Sequence, residues 1–246
     1  MTELEIGLGT AICQHRGPDP VVEPPPPARY TGAMRRLTKW WWVRHAPVPG
    51  YSDRLYVDEE VAADTSDRAA FRALAERLPR GAVWVMSPLA RVRQTAAAIA
   101  EAGYPLESEP IVEPDLAEQN FGGWSGKTYD ELLALSRDRG AYHNFWLSPA
   151  TTRPPGGESF VDVMRRVHGA VERLTEAHAG RDVVAVAHGG PIRAALAAAL
   201  DLDPERALVF AIDNLSTTRI DHMDGAASGS GTGGNWRVAF VNVRPR

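Results

Sequence analysis

The sequence predicts an α/β protein: a three-layer α/β/α sandwich with a mostly parallel sheet and an inserted cap segment. Three observations predict it. Short, wholly apolar runs suited to strands buried on both faces alternate with longer stretches of helical periodicity. These runs end in polar residues of the kind that meet at the carboxyl edge of such sheets. The 246 residues, 44% hydrophobic and 24% charged, have an ordinary globular composition and enough chain for one α/β domain with excursions.

Taken in order, residues 1–33 hold Gly17-Pro18-Asp19-Pro20 and the run from Pro24 to Pro27, which favour extended polyproline conformations. A flexible leader is expected there, ahead of a domain over 34–246, with Met34 as an alternative start. Trp40-Trp41-Trp42-Val43 reads as a buried strand ending at Arg44-His45, its tryptophans serving sheet-core and rim packing. Phe71, Leu74 and Leu78 recur on one helical face. A second strand, Ala82 to Met86, ends at Ser87-Pro88, an N-cap and first-turn proline opening a helix to about Ala102 before Gly103. A cap segment is expected over about 112–158, within which Thr128 and Glu131 have capping-box spacing ahead of Leu132, Leu133 and Leu135.

Farther on, Val163, Val167, Val171 and Leu174 mark another helix face. A third strand, Val183 to Ala187, ends at His188-Gly189-Gly190, and Pro191 then opens an alanine- and leucine-rich helix. Leu208 to Ile212, Thr217 to His222 and Trp236 to Val243 read as further strands, the last two joined by a glycine-rich excursion over 225–234. That excursion lacks the strand-to-helix context and the Lys-Ser/Thr ending of a nucleotide-binding loop.

Net charge and residue usage exclude several function classes. At −4 overall the chain has no basic footprint, so neither nucleic acid nor an anionic membrane surface is expected as partner, and an anionic substrate needs a local positive pocket. Cys13 is the only cysteine, which excludes an internal disulfide and a cysteine metal site and suits a reducing compartment. With no spanning apolar run and no secretion signal, the expected location is the cytoplasm. His143, His168, His178 and His222 lack paired ligand spacing, so no metal and no cofactor are expected.

Phosphoryl transfer without a metal needs a nucleophile, cations for the equatorial oxygens and an acid for the leaving oxygen. His45 supplies a candidate nucleophile through a neutral ring nitrogen, and Arg44 and Arg91 supply planar, permanently charged forks. His188 and the N–H of Gly189 stand where a helix start favours an anion. Arg54 and Arg153 are candidates for contact with the distal part of a substrate.

Arg44-His45, then the run Ser87-Pro88-Leu89-Ala90-Arg91-Val92-Arg93-Gln94-Thr95-Ala96, then Leu116-Ala117-Glu118, then Val186-Ala187-His188-Gly189 resemble the histidine phosphatase superfamily, the phosphoglycerate mutase-like fold. The resemblance implies that His45 becomes phosphorylated, that Arg44, Arg91 and His188 form the phosphate pocket beside the Gly189 N–H, and that Glu118 is the acid that later serves as base. Phe121-Gly122-Gly123-Trp124-Ser125-Gly126 with Pro154-Pro155-Gly156-Gly157-Glu158-Ser159 is similar to the α-ribazole phosphatase and broad-specificity phosphatase branch, whose substrates are small phosphate monoesters. Ala46 stands where Gly usually follows the Arg-His pair, Ser125 where that branch has Glu, and Val57 where it has Gly. The expected activity is therefore hydrolysis of a small phosphorylated metabolite. The alternatives are mutase-type phosphoryl transfer, against which the Ala46-Pro47-Val48-Pro49 run argues, and a non-catalytic phosphate-binding module.

Overall fold

The tryptophan run becomes β1 (Leu37–Arg44), and β4 (Asp182–Ala187) lies parallel beside it, with Trp40 opposite Val183 and Arg44 opposite Ala187. β2 (Val83–Met86) pairs parallel with the other side of β4, and the two-residue β3 (Ile111–Val112), absent from the sequence reading, adds a parallel edge. Beyond β1, β5 (Thr217–Met223) runs antiparallel, and β6 (Trp236–Val243) runs antiparallel to β5. The order is β3-β2-β4-β1-β5-β6. This computed structural model describes residues 36–51, 53–55, 60–138, 143–225 and 234–245, without the side chains of 136–138. The expected leader, Val57 and most of the glycine-rich excursion lie outside the described residues.

Alternation along the central strands explains why their sequences are apolar throughout. Trp40 and Trp42 of β1, with Val183, Ala185 and Ala187 of β4, face a layer formed by α4 (Phe160–Ala177), α5 (Gly189–Leu200) and the short α6 (Pro204–Ala207). Val43, Val184 and Val186 face the opposite layer of α1 (Arg68–Arg77) and α2 (Ala90–Glu101). A strand covered on both faces keeps no polar side, and each fully buried valine contributes about 1.5–3 kcal/mol over an exposed one. The helical faces meet those strands as their spacing predicts: Phe71, Leu74 and Leu78 are buried against one face, and Val163, Val167, Val171 and Leu174 against the other. Trp40 places its Nε1 2.9 Å from Thr175 Oγ1, so the indole is hydrogen-bonded in the core.

Three local expectations are corrected. α2 starts at Ala90 with Leu89 as N-cap rather than at Ser87-Pro88, because Ser87 still extends the β2–β4 ladder, its N–H donating to Val186 O, and its hydroxyl is engaged by His188. α5 starts at Gly189 rather than at Pro191, with His188 in the N-cap position. Leu208 to Ile212 is not a strand: Asp203 caps α6, Leu208 ends it, and the carbonyls of Phe210 and Ile212 accept hydrogen bonds from Arg193 and Arg44 instead of from a neighbouring strand.

Between β3 and α4 the chain makes two short 3-10 turns, Pro114–Leu116 and Gly122–Trp124, and then α3 (Tyr129–Asp138). The Thr128 capping box is present: its N–H donates to Glu131 Oε2 at 2.7 Å, and Glu131 N–H donates to Thr128 Oγ1 at 3.2 Å. Leu55, Trp124 and Leu132 form a small separate cluster under this excursion. Two motif glycines let its loops touch. A Cβ on Gly122, whose φ is +46°, would lie 2.3 Å from Pro155 O, and one on Gly157 would lie 2.4 Å from Asn120 O. Among the described residues no helix is long and apolar enough to cross a membrane.

Candidate active site

Three strand ends converge as the α/β architecture demands. β1 delivers Arg44 and then His45, whose N–H donates to Ala187 O at 3.0 Å, extending the β1–β4 ladder by one residue. The histidine carbonyl accepts from Asn214 Nδ2 at 2.8 Å, and the next N–H, of Ala46, donates to Thr95 Oγ1 at 2.9 Å. Fully buried, the imidazole sets Nδ1 2.7 Å from Ala46 O. A carbonyl only accepts, so the neutral ring carries its proton on Nδ1 and presents Nε2 as a lone pair. Ala46 acts here through its backbone, which alanine provides as well as glycine.

His188 ends β4 and caps α5, its ring centroid 5.0 Å from that of His45 and its Nε2 2.8 Å from Ser87 Oγ. Burial, then the charges of Arg44 and Arg91, hold the His45 pKa well below the ordinary imidazole value. His188 is lowered in the same way, first by burial and then by His45, Arg91, Arg44 and Arg166. Both rings are therefore neutral at neutral pH. Arg91, in the first turn of α2, is only 3% exposed. Arg44 anchors Nη1 on Ile212 O at 2.5 Å.

Arg44, Arg91 and Glu118 line an open cleft, walled also by Phe121, Tyr129 and Trp146 from the excursion. Glu118 reaches the same end of the sheet from a loop. Its Oε1 accepts from the N–H of Gly190 at 3.2 Å and from its own neighbour Gln119 at 3.0 Å, so the carboxylate rests at the start of α5. A Cβ on Gly190 would stand 2.4 Å from Glu118 Oε1, so any larger residue there would push the carboxylate from this position. Gly189, the buried first residue of α5, would bring a Cβ within 3.0 Å of Arg193 Nη1.

The remaining two expected residues divide. Arg54 lines the cleft, its guanidinium paired with the exposed Asp53 at 3.1 Å. Arg153 does not reach the cleft lining: it pairs with Asp162 at 2.6 Å beside the N-cap of α4. Four contributors escaped the sequence reading. Arg166 ties the Glu118 loop to α4. Asn214 and the hydroxyl of Ser87 hold the two histidines. Arg193 on α5, with burial pulling its pKa down to about 10 against the Glu118 charge, donates to Phe210 O and stacks on Trp146 at 4.4 Å. Arg166 stands on a strongly periodic helix and Arg193 on an alanine-rich one, and in either setting a lone arginine reads as a solvated charge. Asn214 carries no pattern, and the pattern at Ser87 points to a helix cap rather than to a partner for His188.

Residues 40–230 match the family described as histidine phosphatase superfamily (branch 1). The chain is 42% identical over 117 residues to the Bifunctional protein Rv2228c of Mycobacterium tuberculosis, a match covering 48% of this chain but spanning only 30% of that relative's length. It is 34% identical over 197 residues to Phosphoserine phosphatase 1 of Hydrogenobacter thermophilus, covering 76% of this chain and 88% of the relative. The native structure of a mycobacterial glucosyl-3-phosphoglycerate phosphatase superposes with a TM-score of 0.67 at 26% identity, over 85% of this chain and all of that one. The two histidines and two arginines of this site thus stand in a chain that belongs to the histidine phosphatase superfamily.

Proposed function

We propose that the protein hydrolyses small phosphate monoesters through a phosphohistidine on His45, without a metal. One observation carries the reading: a neutral imidazole at a strand end is held through Nδ1 by Ala46 O and lies within the field of the Arg44 and Arg91 charges. Nε2 attacks phosphorus, the P–N bond forms as the ester P–O bond breaks, and protonated Glu118 gives its proton to the leaving oxygen. In the second half Glu118 takes a proton from water, the resulting hydroxide attacks phosphorus, and the P–N bond breaks to restore His45. Arg44 and Arg91 neutralise the equatorial oxygens throughout, in a site where burial strengthens each charge. His188 and the Gly189 N–H complete the phosphate pocket at the start of α5. The phosphatases named among the relatives support hydrolysis of phosphate esters, and the single cysteine supports a cytoplasmic setting.

Phosphate release from p-nitrophenyl phosphate, phosphoserine, α-ribazole phosphate and phosphoglycerates, measured in chelator, tests this reading. Release that His45→Ala abolishes is expected, and the rank of rates identifies the substrate. Release that survives His45→Ala, or that chelator abolishes, contradicts it. Isomerised phosphoglycerate in place of free phosphate points to a mutase.

A further inference from the structure

We infer that Arg166 is a positioning residue for Glu118: together with Glu158 it holds the 115–120 loop so that the acid stays at the start of α5. The inference rests on the assignment of Glu118 as acid.

The Glu118 segment has almost no regular structure of its own, yet a general acid must be held within a fraction of an ångström to act. Arg166 supplies what secondary structure does not. Its Nη1 donates to Asp115 O at 2.6 Å and to Ala117 O at 2.8 Å, and its Nη2 donates to Glu118 O at 3.1 Å. The same guanidinium is gripped from the other side by Glu158, with Nε to Oε1 at 2.9 Å and Nη2 to Oε2 at 3.0 Å. Glu158 in turn reaches the far end of the loop. Its Oε2 accepts from Asn120 N–H at 3.0 Å and its carbonyl accepts from Gln119 Nε2 at 2.7 Å, while its own N–H donates to Asn120 O at 2.8 Å. Residues on both sides of Glu118 are therefore tied to one ion pair, leaving the carboxylate directed at Gly190.

The pair is itself anchored. Arg166 lies between Val163 and Val167, both fully buried against the sheet, and α4 begins with a complete Ser159–Asp162 capping box. The side chains of Arg166 and Glu158 are 17% and 26% exposed, so the bidentate contact is partly shielded from solvent and less screened than a surface pair. Burial acts against the Glu158 carboxylate, yet the Arg166 hydrogen bond and the Asn120 N–H hold its pKa below the ordinary range. Lysine at 166 would keep the charge but not the planar fork that serves three carbonyls and a carboxylate together.

Leaving-group dependence separates positioning of the acid from general support of the fold. The phenolate of p-nitrophenyl phosphate departs without a proton, whereas the alkoxide of phosphoserine needs one. Single-turnover formation of the phosphoenzyme is measured with both esters in wild type, Arg166→Gln, Arg166→Lys, Glu158→Gln and Glu118→Gln, with circular dichroism confirming that each variant is folded. For Arg166→Gln the expected result is a loss of about 10²-fold or more with phosphoserine and less than about fivefold with p-nitrophenyl phosphate. Arg166→Lys and Glu158→Gln should show the same selectivity at smaller size. Equal losses on both esters in every folded variant, or no loss, overturn the inference while Glu118→Gln remains selective. If Glu118→Gln is itself unselective, the acid assignment fails and the inference fails with it. If Arg166→Gln does not fold, the two milder variants decide by the same criterion.

Discussion

Arg44, His45 and His188 stand at or just beyond the ends of buried parallel strands, with Arg91 in the first turn of the helix that follows β2, whereas Glu118 stands in a loop between two short 3-10 turns. The strand-end group is positioned by backbone ladders: His45 N–H on Ala187 O and Ser87 N–H on Val186 O continue the sheet by one residue each. The acid is positioned by side chains instead, through the Arg166–Glu158 pair and the N–H of Gly190. The two regions differ in what it takes to displace them. Moving the nucleophile means deforming a sheet packed on both faces, while moving the acid takes one altered side chain.

The largest effect should come from the strand-end group. His45→Ala is expected to lower turnover by about 10⁴-fold or more on every ester, because the group that forms the bond to phosphorus is gone. A steady-state assay on phosphoserine and p-nitrophenyl phosphate reads it. A loss below tenfold would break the assignment.

Next in size, Gly190→Ala should displace Glu118 without touching the strands, since the new Cβ would meet Oε1 at 2.4 Å. An ångström-scale misplacement of an acid typically costs on the order of 10²-fold. Turnover of phosphoserine should fall by about that factor, and phosphoenzyme formation from p-nitrophenyl phosphate should fall far less. Uniform loss on both esters would mean that the glycine serves the phosphate pocket rather than the acid.

A third effect is on stability. Both His45 and His188 have folded pKa values lowered by burial and then by neighbouring charges, so below about pH 6.5 the unfolded chain binds protons that the folded one refuses. Stability is then flat above that pH and declines as pH falls toward the folded values, by up to about 1.4 kcal/mol per pH unit for each histidine. Urea midpoints at pH 7 and pH 5 measure it. The decline should shrink in His188→Asn, and an unchanged slope there would contradict a neutral buried ring.

Smallest of all, Arg153→Ala should change neither turnover nor stability by more than about 0.5 kcal/mol. Its partner Asp162 keeps the Ser159 capping box, and Arg153 itself is 59% exposed. An assay on the same two esters checks it. Reduced affinity for substrate would place this arginine in the cleft after all.

The same contrast explains what was legible in the sequence. Strands covered on both faces must be apolar throughout, so β1, β2 and β4 announce themselves, and the polar residue at each of their ends marks the pocket. Glu118 was found only because Leu116-Ala117-Glu118 matched a family motif, for nothing in a loop carboxylate's local pattern distinguishes it. Arg166 escaped because its partners are mostly backbone carbonyls from another part of the chain, which leave no trace in periodicity. The false strand over Leu208 to Ile212 has the same origin: its apolar run is genuine, but Arg193 and Arg44 occupy carbonyls that a sheet neighbour would need. Residues that hold the backbone by side-chain donors are visible only once the fold has brought them together.

The most direct test is to trap the intermediate. The protein is mixed with phosphoserine, quenched within one turnover under alkaline conditions that preserve phosphohistidine, and digested for mass spectrometry. The account predicts one added phosphoryl group on the peptide containing His45, located on that histidine and absent from His45→Ala. A phosphoryl group on another residue, or phosphate released with no covalent adduct under conditions that preserve one, would contradict it.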